Sequence, residues 1–400
     1  MFSRNEHPDF WYDAALIPPP LSLYLHIPWC VRKCPYCDFN SHAMREVIDE
    51  GIYVEALLMD LNIDRELVGE RPIETIFMGG GTPSLFSSDA IGQLLKGVQE
   101  LVDVSDQVEI TLEANPGTLE AEQFPGYRDV GINRLSLGVQ SLNADSLRAL
   151  GRIHGTQEVY AAVDRAKRAG FEHINLDMMF GLPQQTLAMA QSDLASAMAL
   201  ETGHLSYYQL TLEPNTPFYQ SPPHLPDEEI LWQMQRRGQM MLEKAGFSQY
   251  EVSAFARQGE RCKHNLNYWR FGDYVGIGAG AHGKLTTVDG VIKRRWKRRH
   301  PNDYLAATVD SKGFTQGDRT LRPEDLLIEF MMNALRLREG VESELFHATT
   351  GLPLVAITEL LERAVDRGLL LPDSERLCPS PLGQRFLNDL LEIFEVKRFS

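Results

Sequence analysis

The chain has 400 residues, a formal net charge of −16 at pH 7 and 43% hydrophobic residues, an ordinary globular composition. Because single hydrophobic cores stop growing near ~250–300 residues, this length predicts one large domain with a smaller one attached. The acidic balance argues against nucleic-acid binding, and the 5 cysteines without a secretory leader or a long apolar run predict a cytoplasmic protein, at most peripheral at the inner membrane.

Residues 1–20 have no periodicity and end in three prolines, so we expect a loosely attached N-terminal tail. From residue 21 to 220, apolar runs alternate with helical or turn-rich stretches. The six runs that suit buried parallel strands are 21–27, 73–78, 108–112, 134–139, 173–179 and 204–212. Right-handed crossovers between them predict an α/β fold, a partial (β/α)6 barrel with its chemistry at the carboxyl ends of the strands.

The first strand leads into the stretch YLHIPWCVRKCPYCDF at 24–39, where three cysteines have the spacing C-x3-C-x2-C. Cys30, Cys34 and Cys37 are too close together for all of them to satisfy disulfide geometry, and thiolates on one loop are typical of a metal site. A structural zinc site needs four ligands, but Cys262 and Cys378 are distant and lack a C-x2-C partner. An iron-sulfur cluster on three cysteines keeps one iron open; the alternative is three thiols without a metal.

Polar residues also follow the other predicted strands. Residues 79–83 read GGGTP, Glu113 follows the third strand, Gln140 ends the fourth and Asp177 lies in the fifth. Backbone without side chains can approach a charged ligand closely, and this glycine run lacks the spacing of a phosphate loop. Because polar groups at strand ends cost desolvation unless they bind something, the pattern favours a ligand site.

Six motifs in order along the chain carry a family resemblance: YLHIPWCVRKCPYCDF, FMGGGTPSL, LEANPG, SLGVQS, LGRIHG and LDMMFGLP. They resemble the coproporphyrinogen III oxidase-like branch of the radical S-adenosylmethionine (SAM) superfamily, from about residue 20 to the C-terminus. The resemblance implies a 4Fe-4S cluster on the three cysteines, with SAM on the open iron. By motif position it implies SAM contacts from Tyr24, Gly80 and Glu113, and a second SAM site, which the oxidase has, at Tyr36, Gly81, Thr82, Gln140, Arg152 and Asp177. A surface arginine in a turn is the alternative for Arg152.

Two departures separate the relatives within this branch. The oxidase has a fourth cysteine two residues after the third, where this chain has Phe39. The stretch HNLNYW at 264–269 lies in a region expected to cover the barrel (221–320), and it resembles a stretch associated with heme in the heme chaperones of the branch. The resemblance therefore implies a heme chaperone that passes heme to heme-accepting, membrane-associated proteins, and it also implies a homodimer. The implied heme-binding residues are His264, Asn265, Tyr268 and Trp269.

Alternatives remain for both the stretch and the function. The residues alone favour a hydrogen-bonded histidine in an aromatic-rich loop, and Cys262 is another candidate heme ligand. The alternative function is that of the oxidase, a radical SAM oxidative decarboxylation of coproporphyrinogen III to protoporphyrinogen IX. No residue is assigned a catalytic role.

Three further segments follow toward the C-terminus. Residues 276–283 are small, which suits either a flat ligand against the backbone or a tight crossing. The basic run at 293–300 predicts the solvated face of a hairpin, with a delivery surface as the alternative. From 321 to 400, three helical segments and a short hairpin predict a winged-helix-like domain that acts as a lid or docking module, since it lacks a basic recognition helix.

Overall fold

The computed structural model describes residue 16 and residues 18–44, 47–310 and 313–395, so most of the tail predicted over 1–20 lies outside the described residues. The barrel segment alternates strands and helices. Its strands are β1 (Leu21–Ile27), β2 (Trp29–Cys30), β3 (His42–Ala43), β4 (Ile73–Gly80), β5 (Val104–Ala114), β6 (Arg134–Gln140), β7 (His173–Phe180) and β8 (His204–Gln209). Its helices are α1 (Glu50–Val68), α2 (Ser88–Leu101), α3 (Thr118–Glu122), α4 (Phe124–Asp129), α5 (Ala144–Ala149), α6 (Thr156–Arg168) and α7 (Leu187–Met198), with a 3-10 turn at Pro83–Leu85.

The strand pairing confirms the predicted barrel. Strands β1, β4, β5, β6, β7 and β8 are neighbours in that order and run parallel. Successive side chains of a strand point to opposite sides, and in β1 the leucines and Ile27 are buried in the main hydrophobic cluster. The alternating residues face the interior, where the hydroxyls of Ser22 and Thr75 are 2.7 Å apart. The barrel is therefore apolar toward its helices and polar inside.

The sheet extends beyond the six predicted strands. Helix α8 (Pro217–Gln220) ends the barrel segment. The covering region contributes α9 (Glu228–Lys244), β9 (Ser248–Gln249), β10 (Ala254–Ala256), α10 (Lys263–Trp269), β11 (Asp273–Ile277), β12 (His282–Thr286), β13 (Ile292–Lys297), α11 (Pro301–Ala306) and β14 (Thr315–Thr320). Strand β11 pairs parallel with β1, and β12, β13 and β14 continue antiparallel from it. Strands β10 and β9 extend the other edge, so the sheet has 12 strands among the described residues.

The small residues between β11 and β12 form a tight crossing. A Cβ atom on Gly276 would overlap the carbonyl oxygen of His282, and one on Gly278 would overlap that of His26. Because only hydrogen atoms fit at these positions, the turn after β11 can pass close to the backbone of β1, and β12 can turn back beside β11. The inner face of the barrel thus continues onto the antiparallel extension.

The basic run on β13 is largely an ion-pair network, and the prediction of a solvated face was wrong for its buried part. Lys297 is buried, and its Nζ pairs with Asp60 and, at 2.7 Å, with Asp64. The Nη1 of Arg295 lies 3.3 Å from Asp64 Oδ1. Helix α1 carries these two carboxylates one turn apart, which the basic run itself does not reveal. Arg299, beyond the end of β13, is exposed as predicted.

The C-terminal segment is helical and has its own core. Its elements are α12 (Pro323–Ala334), β15 (Val341–Glu342), α13 (Ser343–Thr350), a 3-10 turn at Leu354–Ile357, α14 (Thr358–Asp366), β16 (Arg376–Leu377), α15 (Pro381–Arg385) and α16 (Leu387–Leu391). Phe330 and Phe346 pack at the centre of a second hydrophobic cluster. Strands β15 and β16 pair antiparallel, and a bridge joins Leu370 to Pro379 within the predicted hairpin. Across the described ranges, no helix is both long and apolar enough to span a bilayer.

Candidate functional site

The three cysteines lie on the loop that leaves the carboxyl end of β1. Short parallel pairing of β2 with β3 holds this loop on the barrel, with Cys30 opposite Ala43. Cys30, Cys34 and Cys37 are half-buried free thiols. Burial raises the pKa of Cys30 and of Cys37, so these thiols need a nearby positive charge or a metal to ionise. Two cations are nearby, because the charge of Lys33 acts on Cys37 and the Nη1 of Arg152 is 3.7 Å from the Cys34 sulfur.

The donor set fits an iron-sulfur cluster. No three His, Cys, Asp or Glu side chains in the described part of the chain are close enough to hold a single metal ion. A cluster of four irons separates its thiolates more widely than one ion does, and all three thiols line one cavity of about 320 Å³. Cys262 lies elsewhere, with its sulfur 3.5 Å from Glu109 Oε1, and Cys378 is in the C-terminal segment. The structure thus brings the three predicted ligands together and keeps the other two cysteines away.

The glycine run after β4 closes against the cysteine loop. The Gly81 N–H donates to the Ile27 carbonyl at 2.8 Å, and the Thr82 N–H donates to the Trp29 carbonyl at 2.7 Å. A Cβ on Gly81 would overlap that Trp29 oxygen, and Gly80 has a φ of +113°, which glycine adopts without strain. Bare backbone therefore faces the cavity beside the thiols.

Glu113 near the end of β5 gives the cavity a buried carboxyl group. Its Oε2 accepts a hydrogen bond from the Gly80 N–H at 3.2 Å. Burial, with a contribution from the charge of Asp177, raises the pKa of Glu113 to about 8. A carboxylate in this environment is stabilised by a cation, so the position suits the ammonium group of a ligand.

Arg152 lines the first cavity, and the alternative of a surface arginine was wrong. Its Nη2 donates to Asn115 Oδ1 and to the Gly138 carbonyl oxygen, each at 2.6 Å. The turn after α5 packs on the cysteine loop and so directs this side chain into the cavity. Asp177 on β7 lines the same cavity, accepts from Ser136 Oγ at 3.2 Å, and has its pKa raised by burial.

Gln140 and Tyr36 also line the first cavity. Gln140 has a φ of +69°, a left-handed conformation that is unfavourable for a residue other than glycine and is held here by its neighbours. Its Oε1 accepts from the Tyr208 hydroxyl at 2.9 Å. Burial raises the pKa of Tyr36 and of Tyr208. Tyr208 was missed in the sequence; the signal was its place on β8, two residues after the partner of Asp177.

A second cavity, of about 590 Å³, adjoins the first and is lined by Tyr24 among other residues. Gly80 and Glu113 line both cavities. The Tyr24 hydroxyl is 3.0 Å from His26 Nδ1, and its ring stacks on Phe77 with 6.3 Å between centroids. Every residue predicted to contact SAM therefore lines one of two joined cavities at the carboxyl end of the barrel.

The HNLNYW stretch forms α10, which closes the amino-terminal end of the barrel. His264 is 1% exposed, with Nδ1 2.7 Å from the Thr75 hydroxyl and Nε2 2.8 Å from the Tyr268 hydroxyl. Burial lowers the pKa of His264 to about 3, so the imidazole is neutral. Both ring nitrogens are already hydrogen-bonded, and an iron would reach them only after α10 moved.

The other residues predicted to bind heme lie in different surroundings. Tyr268 lines the second cavity, whereas Trp269 packs under Arg336, whose guanidinium carbon is 4.4 Å from the ring centroid. Asn265 is half-buried on α10. Of these four residues, the structure brings Tyr268 to the second cavity, and the heme assignment of the stretch stays a prediction.

Comparison with known proteins identifies the family. Residues 24–195 match the model of the Radical SAM superfamily, and residues 321–386 match that of the HemN C-terminal domain. The chain is 48% identical to the heme chaperone HemW of Haemophilus influenzae over 380 residues, which cover 94% of this chain and 98% of the relative. It is 36% identical to the heme chaperone HemW of Bacillus subtilis over 385 residues, 93% of this chain and 98% of the relative.

A solved structure shows the same fold. The coproporphyrinogen III oxidase (HemN) from Escherichia coli matches with a TM-score of 0.80 and 21% identity, over 95% of this chain and 91% of that one. The HemW of Escherichia coli itself is 48% identical to this chain over 376 residues, 94% of this chain and 98% of the relative. The cysteine loop, the glycine run and helices α12 to α15 lie within the matched regions. The chain therefore belongs to the HemW family of the radical SAM superfamily.

Proposed function

We propose that this protein is a heme chaperone that holds a 4Fe-4S cluster and SAM in its barrel and passes heme to heme-requiring respiratory proteins. The observation that supports the proposal most directly is the position and exposure of Phe39. Its side chain occupies the position of the fourth cysteine of the oxidase, is 61% exposed and lines both cavities. An exposed aromatic ring at this position can pack against a large apolar ligand, whereas it cannot do the chemistry of the fourth thiol of the oxidase. The names of the relatives reported above support the same function.

The cofactor assignment follows the two joined cavities, because the three cysteines line the first, Tyr24 lines the second, and Gly80 and Glu113 line both. We assign the cluster to Cys30, Cys34 and Cys37, and the SAM on it to Tyr24, Gly80 and Glu113. SAM on such a cluster is a source of a 5'-deoxyadenosyl radical after one-electron cleavage. In this chain Glu113 offers a carboxylate to the SAM ammonium, and the Gly80 backbone beside it offers polar groups without a side chain.

Heme titration of the anaerobically purified protein tests the proposal. With the cluster reconstituted, we expect a Soret band that saturates at one heme per chain. Delivery is then measured by mixing the heme-loaded protein with a heme-depleted respiratory enzyme and following the return of its activity. A Soret band that rises without saturation, as for heme in buffer, would contradict the proposal.

The alternative is the oxygen-independent coproporphyrinogen III oxidase. The observation in its favour is that one cavity gathers the residues predicted for a second SAM: Tyr36, Gly81, Thr82, Gln140, Arg152 and Asp177. Anaerobic incubation with coproporphyrinogen III, reductant and SAM decides between the two. Protoporphyrinogen IX would establish the oxidase, whereas SAM cleavage without a vinyl product would dismiss it.

A further inference from the structure

The second cavity contains an imidazole that the proposed function leaves unused. His282 begins β12, is exposed, and lines the cavity together with Trp296 and Arg299. In the described part of the chain no group is hydrogen-bonded to its ring, whereas His26 in the same cavity has both nitrogens engaged. Partial burial and the charge of Arg294 lower the pKa of His282, so its ring is neutral at pH 7. A neutral imidazole with a free nitrogen is the form that ligates iron.

The walls of the cavity suit a flat aromatic ligand. Trp296 is paired directly with His282 across β12 and β13, so both side chains lie on the same face of the sheet. The indole lies over Gly317, where any Cβ would overlap it. Phe39, on the cysteine loop, adds an exposed ring to the half-buried indole in the same cavity. These rings supply the apolar contact area that a porphyrin requires.

The rim of the cavity is positively charged. Arg299 lines the second cavity and also an adjoining groove of about 660 Å³, which Lys33 lines as well. The Nε of Arg299 donates to Asn40 Oδ1 at 3.3 Å, and its terminal nitrogens make no hydrogen bond to the residues that the structure describes. Asp303 also lines the groove, away from the second cavity. A guanidinium with free terminal nitrogens can bind a carboxylate through two hydrogen bonds.

We propose that heme binds in the second cavity and that His282 is an axial ligand of its iron. This inference rests on the proposed chaperone function and names the site that the function requires. Phe39 and Trp296 contact the porphyrin, and Arg299 pairs with a propionate. The cavity volume of about 590 Å³ lies within the ~300–1,000 Å³ of typical ligand pockets. The heme then lies against the cysteine loop, so that its binding depends on the state of the cluster.

His264 has a structural role in this arrangement. Its hydrogen bonds to Thr75 and Tyr268 hold α10 in the amino-terminal end of the barrel. Because Tyr268 also lines the second cavity, a substitution in the HNLNYW stretch disturbs the heme site through the packing of α10.

The test compares His282→Ala with the wild type in two titrations, one with heme and one with iron-free protoporphyrin IX. Loss of an axial ligand should weaken heme binding about 10-fold or more, equivalent to about 1.4 kcal/mol or more. Binding of protoporphyrin IX should change less than about 2-fold, because it has no iron to ligate. His282→Met should recover part of the heme affinity with an altered Soret band. His224→Ala, which removes an exposed histidine outside the cavity, should behave as the wild type.

The outcomes separate this inference from the function on which it rests. If the wild type binds heme saturably and His282→Ala binds it equally well, the inference is overturned and the chaperone function stands. If His282→Ala loses heme and protoporphyrin IX to the same extent, ligation by His282 is overturned. If the wild type shows no saturable binding, the proposed function fails and this inference fails with it. Cluster content and far-UV circular dichroism establish that the variants are folded.

Discussion

The buried carboxyl group of Glu113 should lower the stability of the ligand-free protein at neutral pH, and Glu113→Gln should raise it. Burial raises the pKa of Glu113 from its ordinary value of 4.5 to about 8, so between these values the folded protein keeps a proton that the unfolded chain has released. Stability therefore falls as the pH rises through this window. At about 1.4 kcal/mol for each unit of pKa shift, the loss is about 2 kcal/mol at pH 6 and about 4 kcal/mol at pH 8. The amide of the variant does not ionise and still offers an oxygen to the Gly80 N–H.

Urea unfolding of the cluster-free and SAM-free protein at pH 6, 7 and 8 measures this effect. These values lie above the isoelectric point of about 5.2, where net charge keeps the protein in solution. The free energy of unfolding of the variant should exceed that of the wild type by a margin that grows with pH. Glu251→Gln is the matched control. It should be less stable than the wild type at every pH, because Glu251 forms an ion pair with Arg336, whose Nη2 lies 3.1 Å from the carboxylate. A margin that does not grow with pH would refute the reasoning.

Two further predictions follow from the ion pairs and the cysteines. Lys297→Met leaves the buried carboxylates of Asp60 and Asp64 without their main cation. The free energy of unfolding measured in urea should therefore fall by about 3 kcal/mol or more. A reduction below about 1 kcal/mol would contradict the ion-pair network. Cys37→Ala should lose most of the iron and acid-labile sulfide after anaerobic reconstitution. Cys262→Ala should keep both, since the Cys262 thiol donates a hydrogen bond to Glu109, away from the cysteine loop. Equal iron content in the two variants would argue against the three-cysteine site.

The parts of the fold that could be predicted depend on local properties of the sequence. Strand β1 is an apolar run whose alternate residues are all buried, and β4 to β8 likewise coincide with apolar runs that are largely buried. The site residues could be predicted because parallel strands bring their carboxyl ends to one edge. Glu113 follows one such run, and Asp177 lies near the end of another. Strand β11 was missed because it begins with Asp273 and runs into glycines, so that no apolar run identifies it.

The remaining features depend on partners that are distant in the sequence. Lys297 is separated from Asp60 by 237 positions, so the basic run alone could not reveal that it is buried. His264 is separated from Thr75 by 189 positions, and only the fold shows that both of its nitrogens are engaged. Arg152 was equally consistent with an exposed turn until the packing of that turn on the cysteine loop was visible. Sequence motifs therefore identified residues that line the two cavities but not the environment of each side chain.

The measurement that most directly tests the central claim is heme binding by the anaerobic protein with its cluster reconstituted and SAM present. The chaperone function predicts a Soret band that saturates at one heme per chain. Ligation by His282 predicts in addition that the band is weakened or shifted in His282→Ala. The band should be unchanged in His224→Ala. A protein that carries its cluster and binds SAM, but takes up heme without saturation, would contradict the account.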